Sequence, residues 1–87
     1  MSYQVTIAAD ARKELKRLSG RTLARVTKAL LALGDDPRPP GCLKMKGWDG
    51  IMWRVRVGDY RILYTIEDVL RIVDIRRIGP RGDVYER

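Results

Sequence analysis

The chain has 87 residues, and its 18 Lys and Arg outweigh 11 Asp and Glu to give a formal charge of +7 and an isoelectric point near 10.1. That length supports one modest core and not two, so a single domain spanning residues 1–87 is expected. The composition excludes several classes: no apolar run nears the roughly 18 residues that span a bilayer, one cysteine cannot close an internal disulfide, and a chain without histidine supplies neither a zinc cluster nor a His-based catalytic group.

Tyr3-Gln4-Val5-Thr6-Ile7 alternates apolar and polar residues and reads as a first strand. The start, Met1-Ser2-Tyr3-Gln4, lacks the basic and apolar regions of a signal peptide, so a cytoplasmic location with no membrane association is expected. From Ala8, the positions Ala8, Ala11, Leu15 and Leu18 fall at helical spacing, with Asp10 in the first turn and Gly20 as the stop. A second helix is predicted from about Thr22, a possible cap, with Leu23, Val26, Leu30 and Leu33 on one stripe and an end at Gly34. The outer faces of this helical hairpin carry Arg12, Lys13, Lys16, Arg17, Arg21, Arg25 and Lys28, which suit either a phosphate backbone or ordinary solvated surface. Asp35-Asp36-Pro37-Arg38-Pro39-Pro40-Gly41 is a linker, because three prolines and a glycine in seven residues forbid regular structure. Cys42 follows as a small filler beside it.

After the linker the pattern is strand. Leu43-Lys44-Met45-Lys46 alternates, Gly47-Trp48-Asp49-Gly50 turns, and Ile51, Trp53, Val55 and Val57 share one face. Gly58-Asp59 fits a two-residue hairpin turn with glycine first, which pairs Val57 with Tyr60, Arg56 with Arg61, Val55 with Ile62 and Trp53 with Tyr64. Tyr60, Ile62, Tyr64 and Ile66 continue the inward face, a two-residue turn at Glu67-Asp68 follows, and Val69 to Ile78 forms a last strand. The expected fold is α+β, ordered β-α-α-β-β-β, with an antiparallel sheet and a two-helix hairpin on one of its faces.

This register gathers Arg54, Arg56 and Arg61 on the face away from the helices, beside Met52, Leu63, Thr65, Ile72, Asp74 and Arg76. Like charges directly across a strand pair repel, so the arrangement is unfavourable for folding alone and asks for an anion. A purely structural reading would match Arg61 with Asp74 on the neighbouring strand. Three arginines on one face, with Lys44 and Lys46 nearby and further arginines at Arg76, Arg77 and Arg81, instead favour an anion-binding concavity. The chain ends in Ile78-Gly79-Pro80-Arg81-Gly82-Asp83-Val84-Tyr85, a Gly/Pro loop with an arginine and then a tyrosine.

The strand-helix-helix start, the linker before Leu43-Lys44-Met45-Lys46-Gly47, the segment Trp53-Arg54-Val55-Arg56-Val57-Gly58-Asp59-Tyr60-Arg61-Ile62-Leu63-Tyr64 and the Arg81 to Tyr85 ending together resemble the RelE/ParE superfamily of bacterial toxins. The resemblance covers nearly the whole chain. It implies a RelE-like fold and the toxin of a type II toxin-antitoxin system. On the RelE branch it implies a metal-independent endoribonuclease, an mRNA interferase that cuts messenger RNA in the A site of the 70S ribosome. The 2′-hydroxyl attacks, a 2′,3′-cyclic phosphate forms, translation stops, and no cofactor is needed. It further implies a cognate acidic, RelB-like antitoxin as partner.

Carried over by position, Arg54 and Arg56 stand where relatives have two strand lysines or arginines, Arg61 where they have the arginine after the hairpin turn, Arg81 at the loop arginine and Tyr85 at the terminal tyrosine. These five are the implied catalytic set, and Lys44, Lys46, Arg76 and Arg77 are further RNA and phosphate contacts. Pro80 departs from the pattern, since many relatives place a histidine or lysine there. Arginine at 54 and 56 keeps charge and phosphate affinity but exchanges protons poorly. The rival reading is a ParE-like toxin that inhibits DNA gyrase without catalysis, a branch that generally lacks the complete basic-plus-tyrosine set. A third is a basic nucleic-acid-binding module.

Overall fold

A computed structural model describes residues 2–47 and 50–80. Its elements are β1 (Gln4–Ile7), α1 (Ala9–Lys16), α2 (Gly20–Asp35), β2 (Leu43–Gly47), β3 (Gly50–Val57), β4 (Tyr60–Glu67) and β5 (Ile72–Pro80). The five strands form one sheet in the order β1-β5-β4-β3-β2. The α+β class and the helical hairpin on one sheet face are as expected. The four later strands are antiparallel neighbours, whereas β1 joins parallel to β5, so the sheet is mixed. The meander of β2 to β5 leaves an outer edge on β5, and β1 docks there, pairing Gln4 with Ile72 through Ile7 with Ile75.

Beyond Ile75 the chain of β1 has already turned into α1, and β5 would be left with open backbone groups. Glu14 of α1 fills that gap: its Oε1 accepts the Ile78 backbone N–H at 2.7 Å, and its Oε2 accepts Arg77 Nε and Nη2 at 3.0 and 2.8 Å. A helix carboxylate thus continues the work of the missing strand, satisfying a donor that would cost about 1–3 kcal/mol if buried unmade.

The core lies between the helices and the sheet. Ala11, Val26, Leu30 and Leu33 meet Ile62, Tyr64, Val73, Ile75 and Ile78, with Trp53, Val55, Val57 and Tyr60 packed around them. Each large side chain removed from water contributes about 1.5–3 kcal/mol. Gly34 lets α2 approach β1 closely, since an added Cβ would stand 3.1 Å from the Tyr3 carbonyl oxygen and 3.2 Å from Val5 Cγ2. Gly20, expected to stop α1, instead opens α2 with φ +56°, after a three-residue corner at 17–19. Ser19 precedes α2 at the capping position, so Thr22 lies inside the helix and does not cap it.

The linker is strapped down at Pro37 and Arg38. The buried Tyr64 hydroxyl donates to the Pro37 carbonyl at 2.7 Å. Arg38 lies over the Trp53 ring at 4.9 Å and holds Asp68 with two nitrogens at 3.2 and 3.0 Å, while the Tyr3 hydroxyl donates to the same carboxylate at 2.7 Å.

Candidate nucleic-acid interface

Gly58 has φ +61° at the first position of the β3–β4 turn, the region a two-residue hairpin with leading glycine requires. The turn sets the register, and the pairs Val57 with Tyr60, Arg56 with Arg61, Val55 with Ile62 and Trp53 with Tyr64 all form as expected. Arg54 and Arg56 are therefore about 6–7 Å apart along β3, and Arg56 faces Arg61 directly across the ladder. The three arginines share the face that the helices do not cover.

Arg61 is the exceptional member. It is only 6% exposed, it forms no ion pair among the described residues, and its buried Nε meets no acceptor. Desolvating a cation without pairing it is costly, and the Arg56 charge opposite adds to that cost. Arg54 is half-buried and Arg56 exposed, so the row grades from solvent into the sheet.

The match between Arg61 and Asp74 that a purely structural reading would make does not form. The loop after β4 has four residues, 68–71, with Arg71 left-handed at φ +58°, in place of a two-residue turn at Glu67-Asp68. This carries Asp74 opposite Thr65 and brings Gly79 opposite Arg61. Asp74 is then occupied elsewhere: Thr6 Oγ1 donates to it at 2.8 Å and Arg76 Nη1 at 2.9 Å. Nor does the last strand begin at Val69 or end at Ile78; it runs from Ile72 through Gly79 and Pro80, which were expected in a loop.

The other basic candidates do not all join the row. A register shift at Leu63/Tyr64 leaves Arg76 bulged, with Arg77 opposite Leu63. Arg76 is engaged by Asp74 and Arg77 by Glu14. Lys44 pairs with Trp53 and Lys46 with Ile51, so both lie on the helix-side face and not beside the arginines. Arg81 and Tyr85 fall outside the described residues. Gly79, read from the sequence as part of a loop, lies in β5 opposite Arg61. A glycine inside a strand commonly marks close approach of a ligand or backbone, and here it gives Arg61 a neighbour without a side chain on β5.

Comparison with known proteins decides the family. Residues 5–85 match the family described as the ParE toxin of the type II toxin-antitoxin system parDE. The chain belongs to the RelE/ParE superfamily of type II toxin-antitoxin toxins. It is 37% identical to Toxin RelG of Mycobacterium tuberculosis over 90 residues, covering 100% of both chains. It is 30% identical to a putative toxin, RelE1, of Methanocaldococcus jannaschii, covering 99% of this chain and 98% of that one. Among solved structures it resembles the archaeal RelE-RelB complex of Pyrococcus horikoshii, with a TM-score of 0.81, 28% identity, and coverage of 94% of this chain and 98% of that one. The RelBE2 toxin-antitoxin complex of M. tuberculosis also matches at a TM-score of 0.81, with 29% identity and coverage of 93% and 100%. Among the described residues, no helix of this toxin is long and apolar enough to cross a membrane.

Proposed function

We propose that this toxin is a metal-independent mRNA endoribonuclease that cuts in the ribosomal A site and so arrests translation. The observation that carries the reading is Arg61, a buried side chain whose Nε meets no acceptor among the described residues, standing opposite Arg56 on the sheet face away from the helices. A phosphate supplies what both lack, accepting charge-assisted hydrogen bonds in a bidentate geometry.

Cleavage requires three services. The 2′-oxygen forms a bond to phosphorus while the bond to the 5′-oxygen breaks, leaving a 2′,3′-cyclic phosphate. A base takes the 2′-hydroxyl proton, cations offset the charge growing on the phosphate oxygens, and an acid protonates the departing 5′-oxygen. Arg54, Arg56 and Arg61 hold the phosphate. Tyr85 serves as the base, the role that the family resemblance implies for it. Arg81 completes the clamp and is the family-style candidate to protonate the leaving oxygen; the roles of Tyr85 and Arg81 rest on the family resemblance. Lys44 and Lys46, on the other face, serve as peripheral backbone contacts at most, and Arg76 and Arg77 act through longer-range charge. An acidic RelB-like antitoxin is the expected inhibitor, as relatives are found in complexes with RelB. The cytoplasm, where message and ribosomes are, is the expected site of action.

The matching family's description as a ParE toxin favours a second reading, gyrase inhibition without catalysis. Primer extension on message from a purified translation reaction separates them. Discrete cuts that disappear with Arg61→Ala support the ribonuclease. Intact message together with inhibited DNA supercoiling by gyrase would replace it with the second reading.

A further inference from the structure

The face that carries the arginines is not uniformly polar. Leu43 stands directly opposite Arg54, and Met45 opposite Met52, two residues before Arg54 on the same strand face. Leu43 is 48% exposed and the two methionines are half-buried. No helix covers this strip, which abuts the cationic row at one to two strand spacings, about 5–10 Å.

Sheets that bind single-stranded nucleic acid ordinarily stack bases on aromatic rings. Here Tyr3, Trp53, Tyr60 and Tyr64 are all committed to the helix side, where they form or pack against the core. Among the described residues the arginine face therefore offers thioether and aliphatic surface instead. Methionine is well suited to such a role: it is unbranched, polarizable, attracted to ring systems, and adapts to rings of different size.

Resting on the reading that this face takes RNA, we infer that Leu43, Met45 and Met52 form a nucleobase platform. The backbone phosphate sits on Arg54, Arg56 and Arg61, and the base of a flanking nucleotide lies flat on the apolar strip. The combination of a cationic row with an adjoining apolar strip matches the two halves of one nucleotide, a charged phosphate and a flat ring with an apolar face. The strip then sets which bases are tolerated beside the cut, a property that the arginines, which read only phosphate, do not have.

The test uses the full-length toxin and a short oligoribonucleotide whose scissile 2′-hydroxyl is methylated so that it is bound but not cut. A second oligonucleotide carries an abasic site at the flanking position. The parent should bind the intact oligonucleotide about three- to tenfold more tightly than the abasic one by fluorescence anisotropy. The Met45→Ala, Met52→Ala pair should lose that preference while keeping its affinity for the abasic strand, and Met52→Leu should retain most of it. Leu43→Ala, at an exposed position, gives the same reading with little demand on folding, and thermal unfolding of each variant checks that it is folded. In the translation reaction, the paired alanine variant should cut at a broader set of sequences.

Equal parental affinity for the two strands, or a preference that survives the paired substitution, overturns the platform while leaving cleavage untouched. Loss of binding to an acidic antitoxin peptide with an unchanged base preference would also overturn it, and would assign the strip to a protein partner. If the parent cuts no message at all, the ribonuclease reading itself falls, an outcome distinct from a folded, active enzyme that ignores the base.

Discussion

Replacing Arg61 by methionine should make the unbound protein more stable and at the same time remove its affinity for anions. Methionine keeps an apolar stem where the arginine stem is packed, so the 6% exposed position stays filled. The substitution removes a buried Nε without an acceptor, worth about 1–3 kcal/mol. It also relieves the Arg56–Arg61 repulsion across the ladder, worth about 0.2–1 kcal/mol. Allowing for imperfect packing of the new side chain, the net gain is about 1–3 kcal/mol. For a domain of this size that raises Tm by about 4 °C or more. Urea unfolding followed by circular dichroism, with and without sulfate, measures both halves. Sulfate stabilises most proteins through exclusion from their surface, so the informative quantity is the extra stabilisation of the parent over the variant, about 1.4 kcal/mol at ten times the dissociation constant. A variant less stable than the parent by 1 kcal/mol or more would mean that Arg61 is a structural residue, and the argument from its cost would fail.

Tyr64→Phe should cost about 1–3 kcal/mol, because it strands the buried Pro37 carbonyl that accepts the Tyr64 hydroxyl; a thermal scan showing an unmoved Tm would refute this. Gly34→Ala ought to reverse the usual helix preference for alanine: the Tyr3 oxygen at 3.1 Å and Val5 Cγ2 at 3.2 Å crowd the new Cβ, and a net loss of about 1 kcal/mol is expected in denaturant titration. Gly58→Ala forces a φ of +61° on a residue with a Cβ and pushes it to 3.2 Å from the Arg25 guanidinium; about 1–2 kcal/mol should be lost, and an unchanged midpoint would contradict the strain argument. The Arg38 guanidinium and then the Tyr3 hydroxyl hold the Asp68 carboxyl below its usual value of 3.8. Its contribution is thus present above that value and lost as pH falls through the lower folded one, so Asp68→Asn should flatten the acid limb of the stability curve.

How far the chain announced this architecture depends on the kind of signal each element carries. The arginine row was legible because Gly58-Asp59 admits few turn geometries, and a two-residue turn determines every partner upstream of it. The next turn was not, since Val69 and Leu70 are apolar yet lie 87% and 70% exposed in the loop, where alternation mistakes them for strand. The misreading displaced pairing by an even number of residues, so Ile72 and Asp74 kept their face while losing their expected partners. A trace of the bulge was present: apolar positions run Val73, Ile75, then Ile78, a change of parity around Arg76 and Arg77. The faces of Lys44 and Lys46 were also recoverable, because a turn centred on residues 48–49 already pairs Lys46 with the inward Ile51. The parallel addition of β1 was hidden, since orientation at a sheet edge follows from tertiary packing and leaves no local pattern.

The carboxylate of Glu14 on the β5 edge reaches beyond local bonding. With β1 covering residues 72–75 of β5 and Glu14 taking the Ile78 N–H, β5 itself has little left to offer another strand. The opposite margin of the sheet runs along β2, where Lys44 and Lys46 stand exposed. Two lysines on so short a strand discourage a second copy of this basic chain from adding there. They also mean that a strand able to lengthen the sheet along β2 must bring acidic residues of its own. The molecule therefore screens would-be neighbours by charge at its β2 border.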